Sequence, residues 1–113
     1  MNQLFYAHLV PLDESLALLD QYQLSPAEHA ELEELIYAMF DHRVMDTILV
    51  SLPPEHHDEL MRRVAEAPHD LSIIVFIKQY VPQIDSHLQL VGNELGLDLR
   101  GLLHKMQEGG ANV

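Results

Sequence analysis

Apolar residues return every three or four positions along most of this chain, and proline or a capping residue punctuates the rhythm. That spacing belongs to amphipathic helices, so the pattern predicts an all-α bundle of four or five helices, two of them long. Asp13 is placed to cap a short helix reaching about Gln23, with Leu16, Leu19 and Tyr22 on one face. The strongest start signal follows at Ser25-Pro26-Ala27-Glu28. Serine stands at the N-cap, proline at the first helical position and glutamate three residues on, which together make a capping box.

From Pro26 to about Ser51 nothing breaks the helix, so it should extend ~39 Å at 1.5 Å per residue. Its apolar positions are Leu32, Leu35, Ile36, Met39, Phe40, Val44, Met45, Ile48, Leu49 and Leu52, a stripe wide enough for more than one neighbour. Pro53-Pro54 ends it and opens a thinner helix to about Ala67, with Leu60, Met61 and Val64 inward and Arg62 and Arg63 outward. Pro68 breaks again, and Asp70 can cap Leu71 to Tyr80. Ile73 to Ile77 is β-branched and apolar on every side, which suits a buried strand as well as a buried helix. Helix is expected, because no second strand-like run exists to pair with it.

The last segment is the most regular. Ile84, Leu88, Val91, Leu95, Leu99 or Asp98, Leu102 and Met106 step by three and four over six turns. Gly92, Gly96 and Gly101 interrupt it, each costing about 1 kcal/mol against alanine, and the first two share a face that another backbone could approach. One domain over residues 1–108 is expected, with a flexible tail at 109–113. Residues 1–23 have two possible seats, the core of this chain or another chain.

Composition narrows the function. At 48% hydrophobic residues, the 113-residue chain is globular rather than disordered in character, and long enough for one real core. The absence of cysteine excludes disulfides, thiolate zinc sites and a cysteine nucleophile. No secretory signal or membrane span is expected, since the longest apolar run is Ile73 to Ile77. A cytoplasmic protein is the default.

Charge changes the picture most. Eight carboxylates and no lysine or arginine precede Arg43, so the first 42 residues carry −8 of the chain's −12. Direct binding to nucleic acid is therefore not expected, because phosphate-rich surfaces need clustered cations, and Arg62-Arg63, Lys78, Arg100 and Lys105 are scattered. A basic protein partner is the natural reader of so acidic an end.

Eight histidines raise the question of metal. His29 with Glu33 and His42 with Asp46 have helical ligand spacing, and Glu66 with His69 matches Glu-x-x-His, but Pro68 intervenes and no second such pair exists. Surface histidines are the preferred reading, with no metal or cofactor. His56-His57-Asp58 diverges around a first turn. No serine sits in a nucleophile elbow, and no glycine-rich phosphate loop is present, so no catalytic residue is assigned.

From Leu24 to Leu99 the punctuation resembles that of a family of small, helical, uncharacterised bacterial proteins. Leu24-Ser25-Pro26, Leu52-Pro53-Pro54-Glu55, Pro68-His69-Asp70 and Val81-Pro82-Gln83-Ile84-Asp85 carry the likeness. The resemblance implies a helical fold, including Leu71 to Tyr80, and implies no activity. The sequence therefore reads as an acidic helical protein–protein interaction module, non-catalytic and self-associating. Its expected partner surface is Glu28, Glu31, Glu34, Leu35, Phe40 and Asp41. The alternatives are a nucleic-acid mimic that occupies a basic nucleic-acid-binding protein, and a histidine-carboxylate metal protein.

Overall fold

Ser25 begins the longest uninterrupted packing surface in the molecule. Its hydroxyl accepts the Glu28 backbone N–H at 3.2 Å, and its own N–H donates to the Glu28 carboxylate at 2.9 Å. The box leaves few orphan amides, and Pro26 at the first helical position has none to lose. The computed structural model describes residues 4–111, with side chains as far as Met106. Its elements are α1 (Leu12–Ala17), continued by a 3-10 turn at Leu18–Gln21, then α2 (Pro26–Ser51). A 3-10 turn at Pro54–His56 leads into α3 (His57–Glu66), followed by α4 (Ser72–Lys78) and α5 (Ile84–Ala111). No strand occurs among the described residues.

Leu32, Ile36, Phe40, Val44 and Ile48 of α2 are all buried, one every four residues. On α5 the buried positions are Ile84, Leu88, Leu95, Leu99 and Leu103. The expected stripe thus holds at Ile84, Leu88, Leu95 and Leu99, with Val91 only partly buried, and then shifts, because Leu103 enters the core while Leu102 and Met106 are exposed. A few fixed contacts show that α2 and α5 run antiparallel. Arg43 meets Glu94 at 3.5 Å near the middle of both helices. The start of α2 and the last turns of α5 meet the same stretch, since Asp20 contacts His29 while Leu18 and Tyr22 line a furrow with Gly101 and His104.

The amino-terminal segment packs on its own chain. Phe5, Tyr6, Val10, Leu12 and Leu19 belong to the same hydrophobic cluster as α2 and α5. The Phe5 N–H donates to the Pro68 carbonyl at 2.9 Å, which ties this segment to the α3–α4 turn. Its course past α5 explains one glycine. A Cβ at Gly92 would lie 2.6 Å from Pro11 Cδ and 3.1 Å from Val10 Cβ, so only glycine admits that crossing. Gly96, expected to share this role, has nothing within 4 Å of the same point.

One local expectation is corrected. Asp13 is not the cap of α1; Pro11 precedes the helix without a side-chain bond, and Ser15 instead donates to the Pro11 carbonyl at 2.8 Å. At the other end α5 runs as far as Ala111, and residues 112 and 113 of the expected tail lie outside the described ones. Asp70 does cap, its carboxylate accepting the Ser72 N–H at 2.9 Å. That starts α4, which buries Ile73, Ile74, Phe76 and Ile77 and turns Val75 outward. The molecule measures 52 × 25 × 19 Å, so along its thin axis it is about two helices deep. No helix among the described residues is long and apolar enough to cross a membrane.

Candidate functional site

The outer face of α2's first four turns carries a group of exposed carboxylates. Glu28, Glu31, Glu34, Leu35 and Asp41 are exposed, as the sequence predicts for a recognition surface. Phe40 is the exception and must be removed from that surface. It is 1% exposed, because it belongs to the every-fourth-residue row from Leu32 to Ile48 that faces the core. The same row in the sequence was the signal that could have excluded it.

Tyr37 takes its place. It is 41% exposed, close to the 44% of Leu35, and by helical spacing stands between Glu34 and Asp41 on one side of α2. Leu35 stands beside Glu28 and Glu31, and Tyr37 beside Glu34 and Asp41, so each of two adjoining sides of α2 pairs one large side chain with carboxylates. That combination suits protein recognition better than either alone, since aromatic groups supply area and carboxylates supply steering.

The carboxylates are not equivalent. Glu28 is engaged in the capping box, and the backbone N–H of Ser25 holds its carboxyl below the usual range. Asp41 accepts a hydrogen bond from the Tyr6 hydroxyl at 3.1 Å. Burial, reinforced by the Asp41 charge, pushes the Tyr6 phenol well above its ordinary value, so it remains a donor. Glu33 and Asp20 flank His29, at 2.9 Å from Nδ1 and 3.3 Å from Nε2 respectively. A neutral imidazole has one N–H, so donating to both carboxylates at once requires the imidazolium. Glu31 and Glu34 have no such engagement among the described residues and keep their full acceptor capacity.

Cations are distributed quite differently. Arg62 spans Glu59 and Glu66, Arg63 Nε lies 3.8 Å from Glu59, and Lys78 meets Asp85 at 3.3 Å. All these pairs belong to the α3–α4 end. There Arg63 also lies over the Phe76 ring, 4.6 Å from its centre, while the His56 ring stacks on Tyr80 at 3.8 Å. Nε of Arg63 is buried without a hydrogen-bond acceptor, so the ring and the nearby charge stand in for one. Among the described residues, no lysine or arginine lies within 4.0 Å of any carboxylate in the first 42 residues.

The other candidates are less organised. His42 with Asp46 and Glu66 with His69 gather no third ligand, and no three histidine or carboxylate side chains converge among the described residues. His57 faces the Leu52 carbonyl at 2.8 Å; a carbonyl only accepts, which fixes the proton on Nε2 and makes this histidine part of the α2–α3 corner. Between α1 and α5 runs an open furrow of about 300 Å³ lined by Pro11, Glu14, Leu18, Gly96, Leu97 and Arg100. No family model matches this chain, and no curated protein or solved structure matches it.

Proposed function

We propose that this protein is an acidic helical interaction module that acts by binding, without a catalytic step, and that the outer face of α2 is its recognition surface. The partner is a protein that presents lysine or arginine on an exposed helix or loop. One observation supports the reading: among the described residues the carboxylates of the first 42 positions meet no lysine or arginine, although four of the six cations pair elsewhere. Unpaired charge on a rigid helix creates a field that raises the encounter rate with an oppositely charged surface. Leu35, beside Glu31, and Tyr37, beside Glu34 and Asp41, then offer the apolar contact that slows departure.

Titration with a lysine- and arginine-rich amphipathic peptide, followed by calorimetry at low and at physiological salt, tests this. Binding should weaken as salt rises, because exposed charges are screened. Glu31→Gln with Glu34→Gln should weaken it about tenfold or more, and Tyr37→Ala should accelerate dissociation. Binding that ignores both salt and these substitutions would contradict the assignment.

A further inference from the structure

We infer that the outward side of α5's last turns docks against the acidic face of α2 on a second copy of this chain. The inference rests on the reading of α2 just given and supplies a partner for it. Four of the six cations meet a carboxylate within 4.0 Å, whereas Arg100 and Lys105 meet none among the described residues. In a chain of net charge −12, two unpaired cations on the same helix are unexpected. They share a face with Leu97 and Gly101 by three- and four-residue spacing, and Leu97 is 70% exposed.

The glycines agree. Gly92 is required by the crossing of Val10 and Pro11, but a Cβ at Gly96 or Gly101 would touch nothing within 4 Å. Both weaken α5, and neither has a packing reason inside one molecule. A close approach from outside would give them one.

The complement of this face is already on the chain. Glu31 and Glu34 pair with no cation among the described residues, and Leu35 is exposed beside Glu31. Arg100 and Lys105 of one copy match Glu31 and Glu34 of another, and Leu97 meets Leu35. Because α2 and α5 are antiparallel, the start of α2 and the last turns of α5 lie at the same end of the molecule. Contact between copies is therefore concentrated at that end. Net negative charge opposes approach at long range, but at about 0.15 M salt that repulsion is screened beyond roughly 8 Å while direct pairs persist.

Sedimentation equilibrium of the full chain at that salt tests the inference. The wild type should show a mass that rises with concentration above the monomer. Arg100→Glu with Lys105→Glu should weaken association at least tenfold, as should Glu31→Lys with Glu34→Lys, each variant keeping its helical circular dichroism. Mixing the two variants should restore association, since each then offers the charge the other lost. A monomeric wild type, an unchanged mass in either variant, or a mixture that stays monomeric would overturn the proposal. The basic peptide separates this from the reading beneath it. A monomeric wild type that still binds the peptide overturns only the second-copy contact, whereas a peptide that never binds overturns the α2 recognition surface itself.

Discussion

The two ends of this molecule handle charge in opposite ways. At the α3–α4 end every arginine and lysine faces a carboxylate, and Arg63 also rests on Phe76. At the start of α2 no lysine or arginine reaches a carboxylate among the described residues, and the His29 ring lies between Glu33 and Asp20. Exposed ion pairs contribute only about 0–1 kcal/mol each, so the paired end is not made stable by its pairs. The contrast concerns recognition. One end satisfies its charges internally and presents little unbalanced field, while the other keeps its charges available.

The sharpest way to break this comparison is to show that the α2 face is structural after all. Phe40 and Leu35 lie five residues apart on the same helix, one in the core and one outside it. Phe40→Ala should cost about 3–5 kcal/mol in urea unfolding, from lost burial and the cavity left behind. Leu35→Ala should stay within about 0.5 kcal/mol of wild type, as exposed positions do. Equal costs would mean that the outer face of α2 is covered within the monomer.

A smaller effect separates the glycines of α5. Gly92→Ala places a methyl against the Pro11 ring, which cannot swing away, and should destabilise by about 1–3 kcal/mol despite the better helix propensity. Gly96→Ala meets nothing in the monomer and should stabilise by up to about 1 kcal/mol. Thermal melts of the two variants should therefore move in opposite directions. A stabilised Gly92→Ala would show that the amino-terminal segment does not cross α5 there.

Much of this fold was legible because its signals are local. Ser25, Pro26 and Glu28 define the start of α2 from chemistry that acts within four residues. Leu71 to Tyr80 was assigned as helix from the lack of a pairing strand, and Ser72–Lys78 is helical. The shift from Leu102 to Leu103 was not legible, since Leu102 and Leu103 follow Leu99 at three and four residues and both fit a helical stripe. The docking of Phe5 and Tyr6 was equally hidden, because no periodicity marks a segment held by the Pro68 carbonyl and by Asp41. At the candidate site, Glu31 and Glu34 could be read as exposed from the sequence. Phe40 belongs to the every-fourth-residue row from Leu32 to Ile48, but that row is obscured within a broad stripe of ten apolar residues that also holds the exposed Leu35.

Ser25→Ala should cost about 0.5–2 kcal/mol, since it removes the acceptor for the Glu28 N–H at the start of α2. The cost should appear in unfolding midpoints, and an unchanged midpoint would place the effective start of α2 elsewhere. Acid should bring a gentler loss. The Ser25 N–H lowers the Glu28 carboxyl, the Ser72 N–H lowers that of Asp70, and the Lys78 hydrogen bond lowers that of Asp85. Each lowered group adds stability that is complete above its ordinary value, 4.5 for Glu28 and 3.8 for the aspartates, and is lost as pH falls through the folded value. Melting temperature should thus decline below about pH 5, and Glu28→Gln should make that decline shallower. A melting temperature independent of acid would contradict these carboxylate bonds.

The proposed function requires that the acidic face of α2, and not the paired α3–α4 end, meet a basic partner. Backbone amide shifts recorded while the lysine- and arginine-rich peptide is added read this residue by residue. The largest changes should fall on Glu31, Glu34, Leu35, Tyr37 and Ala38, with α3 and α4 left undisturbed. Changes centred on Glu59, Glu66 and Asp70, with α2 silent, would contradict it.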